Sequence, residues 1–174
     1  ECLGSIEVVV EQELVRHVGA ETSRRIWERD PSVWSRNPDL FETIPSRLGW
    51  LTVPELMTSK IQGLEAFVQE VREEGYRQVL LLGMGGSSLC PEVLSRVSNG
   101  KSDGMSLRVL DSTSPAAIQD AMEWAELPKT LFLVSSKSGT TLETACLYDY
   151  FASIVPQVGQ FVAITDAGSD LESL

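Results

Sequence analysis

From residue 78 onward the chain alternates between short apolar runs and longer stretches with a helical period. The apolar runs predict four strands, at 78–82, 107–110, 130–134 and 160–165. The helical stretches between them predict helices near 91–97, 115–124 and 141–154. Apolar strands alternating with helices are typical of an α/β fold with a parallel sheet covered on both faces. Because crossovers between parallel strands are right-handed, we expect a three-layer αβα sandwich.

Ahead of the first strand the pattern is helical but less regular. A first helix is predicted at 11–27. Thr52 and Glu55 have the spacing of a capping box, and Gly75 is placed to end the helix that follows. One apolar face of that helix is predicted by residues at steps of four and three, namely Met57, Ile61, Leu64, Val68 and Val71.

The length of 174 residues suits one domain. We expect residues 1–50 to form a helical segment packing on a main domain formed by residues 51–174. The chain begins at Glu1 rather than Met and ends at Leu174 just after a predicted strand. We therefore expect a fragment of a longer protein, truncated at its C-terminus.

Charge and composition exclude some partners. With 14 Lys plus Arg against 25 Asp plus Glu, the net charge is −11. A nucleic-acid partner is excluded, because a phosphate backbone needs a basic face. No apolar stretch approaches the ~18 residues of a membrane helix, and the N-terminus lacks a signal-peptide pattern, so no membrane partner is expected.

Cysteine and histidine content limits the redox and metal chemistry. Cys2, Cys90 and Cys146 are odd in number and widely spaced, so they form neither a disulfide framework nor a metal-ligand set. We expect buried thiols at Cys90 and Cys146, a cytoplasmic location, and no metal or organic cofactor. The single histidine, His17, is interpreted as a surface or packing residue on a helix.

A glycine-rich loop, 83–88, follows the first predicted strand. Its glycines allow a sharp turn and the close approach of a ligand to the backbone. Ser87 and Ser88 add hydroxyl groups at the start of the next helix, where unpaired N–H groups favour an anion. The loop is interpreted as a phosphate-binding loop, and a tight turn without a ligand is the alternative.

A second loop, 135–141, follows the third predicted strand and combines hydroxyl side chains with Lys137 and Gly139. Thr140 and Glu143 have capping-box spacing, which predicts a helix N-terminus here. Such a loop offers hydroxyl and amide donors to a dianion, and each hydrogen bond to a charged group contributes roughly 1.5–3 kcal/mol. The alternative is a Ser/Thr-rich surface turn.

Other motifs match less well. A P-loop requires a second glycine at the position where this chain has Ser88. A dinucleotide fingerprint requires Gly or Ala there. Asp111 closes the second strand like the ribose-binding acid of nicotinamide-binding domains, so that class stays open. A serine hydrolase is disfavoured, because there is no G-x-S-x-G motif and no histidine after it.

The two loops together resemble the paired motifs of the phosphoglucose isomerase family. The resemblance is carried by Gly83-Met-Gly-Gly-Ser-Ser-Leu89 and Ser136-Lys-Ser-Gly-Thr-Thr-Leu-Glu-Thr144. The chain is similar to the branch in which the isomerase follows a transaldolase, through Arg25-Ile-Trp27, Arg47-Leu-Gly-Trp50 and Leu110-Asp-Ser-Thr113. This resemblance implies a sugar-isomerase (SIS) domain with a flavodoxin-like fold.

In this family the two loops bind the 6-phosphate of glucose 6-phosphate or fructose 6-phosphate. Carried over by position, the resemblance implies phosphate contacts from Ser87, Ser136, Lys137, Ser138 and Thr141, with Ser88 and Thr140 as further candidates. Gly86 would let the sugar approach the backbone. The typical second motif has Thr-Phe where this chain has Ser138-Gly139. The serine keeps the hydroxyl group, and a glycine is common in other SIS domains.

The resemblance also implies that the catalytic groups lie beyond this chain. Aldose–ketose isomerisation needs a base at C1 and C2, a ring-opening acid–base group and a cation for the enediolate. In the family these are a glutamate, a histidine, a lysine and an arginine, and none matches a position here. We expect no catalytic residue in this chain and no activity from it alone. For the full-length enzyme we expect a homodimer, with a fused transaldolase if the parent is of that branch.

Two other functions on this fold stay open. One is a non-catalytic module that senses a sugar phosphate and carries a DNA-binding domain, although residues 1–50 show no basic helix-turn-helix. The other is an amino-sugar-phosphate isomerase, which would prefer glucosamine 6-phosphate. The leading expectation is part of a glucose-6-phosphate isomerase of glycolysis and gluconeogenesis.

Overall fold

The structure, a computed structural model, describes residues 6–97, 105–155 and 158–173. The chain divides into two compact units, Glu1–Glu65 and Ala66–Leu174. This division falls inside the helix Ile61–Glu73, whereas the sequence analysis places a boundary at residue 50. The expected domain boundary stays a prediction. Within the described residues, no helix is long and apolar enough to cross a membrane.

The second unit is built on a parallel sheet of four strands in the order β2-β1-β3-β4. The strands are β1 (Gln78–Gly83), β2 (Ser106–Leu110), β3 (Thr130–Ser135) and β4 (Phe161–Ile164). The connecting helices are α6 (Gly86–Val97), α7 (Pro115–Trp124) and α8 (Leu142–Ile154). Each strand lies within one residue of its predicted ends, and the predicted α/β class with a parallel sheet is confirmed.

The strand order has a topological switch point at β1, because the strands that follow it are added on opposite sides of it. The chain runs from β1 outward to β2, and then crosses back to β3 on the other side of β1. In open parallel sheets, ligands bind beyond the carboxyl ends of the strands at such a switch point. The crevice between the ends of β1 and β3 is therefore where a ligand is expected.

Both faces of the sheet are packed. One face carries Leu80, Phe132 and Val134, which are fully buried against Leu147 and Phe151 of α8. On the other face, Leu131 packs in a smaller cluster with two further buried residues, Val71 and Tyr76. Burial on both faces explains why these strands read as continuous apolar runs rather than alternating ones.

The first unit contains short helices and turns. Its helices are α1 (Glu7–Gly19), α2 (Thr22–Trp27), α3 (Thr43–Ser46), α4 (Val53–Thr58) and the start of α5 (Ile61–Glu73). The predicted helix at 11–27 is interrupted, because Glu21 adopts a left-handed conformation with φ of 49°. Two Asx turns follow, in which Asp30 accepts from the Ser32 amide and Asn37 from the Asp39 amide.

Several local predictions need correction. The stripe from Met57 to Val71 is split between α4 and α5, and of its residues only Val71 is buried. Thr52 caps α4 without a side-chain capping bond, because its hydroxyl instead donates to the Gly49 carbonyl and accepts from Arg29. The helix predicted at 91–97 begins earlier, at Gly86, and contains Pro91 in its interior.

The cysteine prediction was also wrong, since Cys90 and Cys146 are both exposed free thiols. In α8 the buried stripe runs through Thr144, Leu147 and Phe151, and Cys146 falls beside this stripe. Apolar neighbours in sequence therefore did not imply burial, because a helix turns adjacent residues onto different faces.

Candidate functional site

Both predicted loops leave the sheet side by side. Gly83, the last residue of β1, is the register partner of Ser135, the last residue of β3. A Cβ atom placed on Gly83 would lie 3.0 Å from the Ser135 carbonyl oxygen. The strands are thus in close contact where the loops begin, and the two loops flank the same crevice.

The first loop turns sharply into α6. Gly85 has a φ of 54°, a left-handed conformation that glycine adopts without strain. The Ser87 and Ser88 amides donate to the Met84 and Gly85 carbonyl oxygens, at 3.1 and 3.0 Å. The expectation that these amides are unpaired was wrong for this pair, because the first turn of the helix already uses them.

The side chains of this loop differ in availability. Ser88 is fully buried, and its hydroxyl donates to the Gly85 carbonyl oxygen at 2.9 Å. Ser87 is half-buried, and Gly86 is exposed with open space around the position of a Cβ atom. Ser87 and Gly86 remain candidates for ligand contact, whereas the hydroxyl of Ser88 is engaged within the turn.

In the second loop, Ser136 and Thr141 form a pair across the turn. Their hydroxyl oxygens lie 2.9 Å apart, and Ser136 is buried while Thr141 is half-buried. The backbone of Ser136 is also fixed, because its amide donates to the Ile164 carbonyl oxygen at 3.0 Å. A hydroxyl pair uses one of its two hydrogens internally, so the other stays available to an anion.

A second hydroxyl pair lies nearer to solvent. The Ser138 and Thr140 hydroxyl oxygens are 2.9 Å apart, and the Thr140 amide donates to the Ser138 hydroxyl at 3.2 Å. Both residues are exposed. The loop therefore presents two pre-formed hydroxyl pairs, one partly buried and one exposed.

The N-terminus of α8 adds backbone donors to this loop. Thr141 is the N-cap residue, yet its side chain makes no capping bond, and the predicted capping box with Thr140 does not form. The Ala145 amide donates to the Thr141 carbonyl oxygen at 3.0 Å. The amides of the first turn of α8, at residues 142–144, lack intrahelical acceptors. The positive end of the helix dipole favours an anion there.

Lys137 supplies a cation at the same place. Its side chain is exposed and makes no ion pair with any residue that the structure describes. The carbonyl oxygen of Lys137 accepts a hydrogen bond from the Asp166 amide at 3.1 Å. The charged amine thus extends from a fixed stretch of backbone.

Two further sequence expectations concern His17 and metal ligands. His17 lies on α1, half-exposed, with its ring nitrogens near the Thr22 hydroxyl and Arg16, as expected for a surface histidine. In residues 6–97, 105–155 and 158–173, no cluster of three or more His, Cys, Asp and Glu residues could hold a metal ion.

Sequence reasoning did not predict the contact between the second loop and residues 169–171, which follow β4. Ser169 and Leu171 lie against Gly139 of the second loop. The available signal was Gly139 itself, since a glycine without a side chain leaves room for another segment of the same chain.

Fold and loops together define an α/β domain with a crevice at the β1/β3 switch point, flanked by the two predicted loops. The family model described as phosphoglucose isomerase matches residues 57–151. The chain therefore belongs to the phosphoglucose isomerase family.

Relatives in sequence and structure agree with this family. A glucose-6-phosphate isomerase of Citrifermentans bemidjiense is 32% identical over 148 residues, covering 71% of this chain and 28% of its own length. One of Prochlorococcus marinus is 32% identical and covers 80% of this chain, again over 28% of its length. The chain thus spans little more than a quarter of these curated relatives.

A crystal structure of a glucose-6-phosphate isomerase from Chlamydia trachomatis matches with a TM-score of 0.58 and 25% identity. It covers 84% of this chain and 27% of that protein. A protein of Thermus thermophilus described as hypothetical matches with a TM-score of 0.61 and 25% identity. That match covers 91% of this chain and 36% of the Thermus protein.

Proposed function

We propose that this chain is the hexose-6-phosphate-binding part of a glucose-6-phosphate isomerase. The observation that supports the proposal is the register of Gly83 with Ser135, which brings the two glycine- and hydroxyl-rich loops to one crevice. The substrate of the whole enzyme would be glucose 6-phosphate or fructose 6-phosphate, which it would interconvert in glycolysis and gluconeogenesis.

The second loop provides most of the phosphate contacts in this proposal. The contacts come from Ser136, Lys137, Ser138 and Thr141, with Thr140 supporting Ser138. Ser87 approaches from the first loop, and Gly86 leaves space for the sugar. Ser88 is omitted, because its buried hydroxyl is engaged with Gly85.

The phosphate dianion would be bound by hydroxyl groups, the amides at the start of α8 and the Lys137 amine. Hydrogen bonds to a charged group are worth roughly 1.5–3 kcal/mol each. Because the phosphate does not react, this binding energy positions the sugar for chemistry at C1 and C2. In the family, the base, acid and cation for that chemistry match no residue here, so this chain alone would bind substrate without converting it.

Further properties of the whole enzyme are also part of the proposal. These are a cytoplasmic location, a homodimer, an SIS-type domain and, if the parent is of that branch, a fused transaldolase. A size measurement on the full-length protein tests the dimer.

The test is an NMR titration of this chain with fructose 6-phosphate, with unphosphorylated fructose and inorganic phosphate as controls. We expect amides of 83–88 and 135–141 to shift with the sugar phosphate and much less with fructose. Ser136→Ala should abolish most of the response, since it removes the buried hydroxyl. Ser153→Ala, at the far end of α8, should leave it unchanged.

The proposal fails if neither loop responds to fructose 6-phosphate while the spectrum remains that of a folded protein. It also fails if fructose alone produces the same shifts, because the sugar rather than the phosphate would then be recognised.

A further inference from the structure

The turn after β4 contacts the backbone of the second loop directly. The Asp166 amide donates to the Lys137 carbonyl oxygen at 3.1 Å, and the Thr165 hydroxyl donates to the same oxygen at 3.4 Å. Residues 165–171, called here the bracing segment, thus hold the loop at the residue that carries its cation.

A second contact lies at Gly139, which has a φ of 72°. A Cβ atom placed there would lie 2.9 Å from the Cβ atom of Ser169 and 3.0 Å from the Leu171 amide nitrogen. Ser169 therefore occupies the space that a larger residue at 139 would need. The loop and the bracing segment are matched in shape at this point.

The bracing segment is itself anchored. The Thr165 and Ser169 hydroxyl oxygens lie 2.6 Å apart, and the Ser169 amide donates to the Asp166 carbonyl oxygen at 3.3 Å. The Gly168 amide donates to the Glu172 carboxylate. Leu171 is buried in the main core cluster together with Phe132. Contacts made by this segment are therefore fixed relative to the sheet.

We propose that the bracing segment positions the phosphate-binding loop, with Thr165 and Ser169 as positioning residues that never touch the ligand. This inference rests on the proposed function of the loop. Ser138 and Thr140 flank Gly139, so a displacement of Gly139 separates their hydroxyl pair from Ser136 and Thr141. Binding groups held by a supporting shell bind more tightly than groups that must be ordered by the ligand.

The test compares Thr165→Val with Thr165→Ser in this chain. Valine keeps the shape of threonine but loses the hydroxyl bonds to Lys137 and Ser169, whereas serine keeps the hydroxyl. We expect Thr165→Val to weaken fructose 6-phosphate binding roughly tenfold, in line with the loss of about one hydrogen bond's contribution to loop order. Thr165→Ser should stay within about threefold of the original affinity, because it retains the hydrogen bond.

Hydrogen exchange without ligand separates this inference from the proposed function. In Thr165→Val the Gly139 and Thr140 amides, which bond to Ser136 and Ser138, should exchange faster, while amides of β1 stay unchanged. Equal affinity of the two variants, or unchanged exchange at Gly139 and Thr140, overturns the positioning role. If the chain without substitutions does not respond to fructose 6-phosphate, the proposed function fails. The positioning of a phosphate site then fails with it, even if the Gly139 and Thr140 amides exchange faster in Thr165→Val.

Discussion

The hydroxyl oxygens of Ser136 and Thr141 lie 2.9 Å apart, which joins the end of β3 to the first turn of α8. Thr141 is the N-cap of that helix but makes no side-chain capping bond. Its hydroxyl therefore serves the loop rather than the helix end, and it is the partner of the buried Ser136 hydroxyl.

Thr141→Val should weaken fructose 6-phosphate binding about tenfold or more, because it removes a hydrogen bond to a charged group. The free energy of unfolding should fall by about 1–3 kcal/mol, because the buried Ser136 hydroxyl loses its partner, although no capping bond is lost. Thr141→Ser is the control and should bind within about threefold of the original chain, because the hydroxyl remains. Calorimetric titration measures the affinity, and equal binding by Thr141→Val excludes this hydroxyl from the site.

Gly139→Ala should destabilise the chain. The left-handed conformation costs roughly 1–2 kcal/mol for a residue with a Cβ atom, and the close approach of Ser169 and Leu171 adds to it. Gly63→Ala is the matched control, because Gly63 lies in α5 with open space around it. It should stabilise by up to about 1 kcal/mol. Urea unfolding measures the free energy of unfolding of both variants. An unchanged free energy in Gly139→Ala contradicts the contacts described for Gly139.

Phe132 should be among the most sensitive core positions. It is fully buried, with ring centroids 5.1 Å from Phe151 and 4.9 Å from Phe161. Phe132→Ala should cost about 3–5 kcal/mol in the free energy of unfolding, because the cavity cannot collapse between two rings. Leu94→Ala, on an exposed side chain, should cost no more than about 0.5 kcal/mol. Similar losses in the two variants contradict this core.

Asp30 should titrate well below an ordinary aspartate. Hydrogen bonds from the Ser32 side chain and from Arg25 lower the pKa of Asp30 from 3.8 to about 2. A lowered pKa stabilises the folded state at pH above 3.8, and this contribution is lost as the pH falls toward 2. Carboxyl ¹³C shifts measure the midpoint. Ser32→Ala should raise it, and a midpoint near 3.8 in the original chain contradicts the contacts.

The choice between a glucose-type and an amino-sugar substrate can be tested by competition. In the full-length protein we expect glucosamine 6-phosphate to displace fructose 6-phosphate poorly, because the two ligands share the phosphate that the loops would bind and differ at C2, where the other residues of the proposed isomerase would act. Clear preference for glucosamine 6-phosphate, measured by the same loop shifts, favours the amino-sugar alternative instead.

Much of the fold could be predicted because it depends on local pattern. β1 and β3 follow from apolar runs, and α7 was predicted with its observed bounds, since Pro115 starts it and its period is clear. The start of α6 was only partly predictable, because Ser87 and Ser88 indicated a helix start after the glycines, whereas Pro91 reads as a first-turn residue although it lies in the interior.

The candidate site was predictable only in its parts. Runs of glycine and hydroxyl residues after two strands marked both loops. The engagement of Ser88 with Gly85 was hidden, because the sequence shows a hydroxyl but not where it points. The exposure of Cys146 was hidden for the same reason.

By itself, the sequence determined the α/β class, the strands and the two loops, because hydrophobic period and turn chemistry act over a few neighbouring residues. Only the tertiary structure decided that Gly83 pairs with Ser135 and that Ser169 fills the space beside Gly139. Those contacts join residues far apart in the chain. They depend on the order of strands in the sheet, which no local pattern specifies.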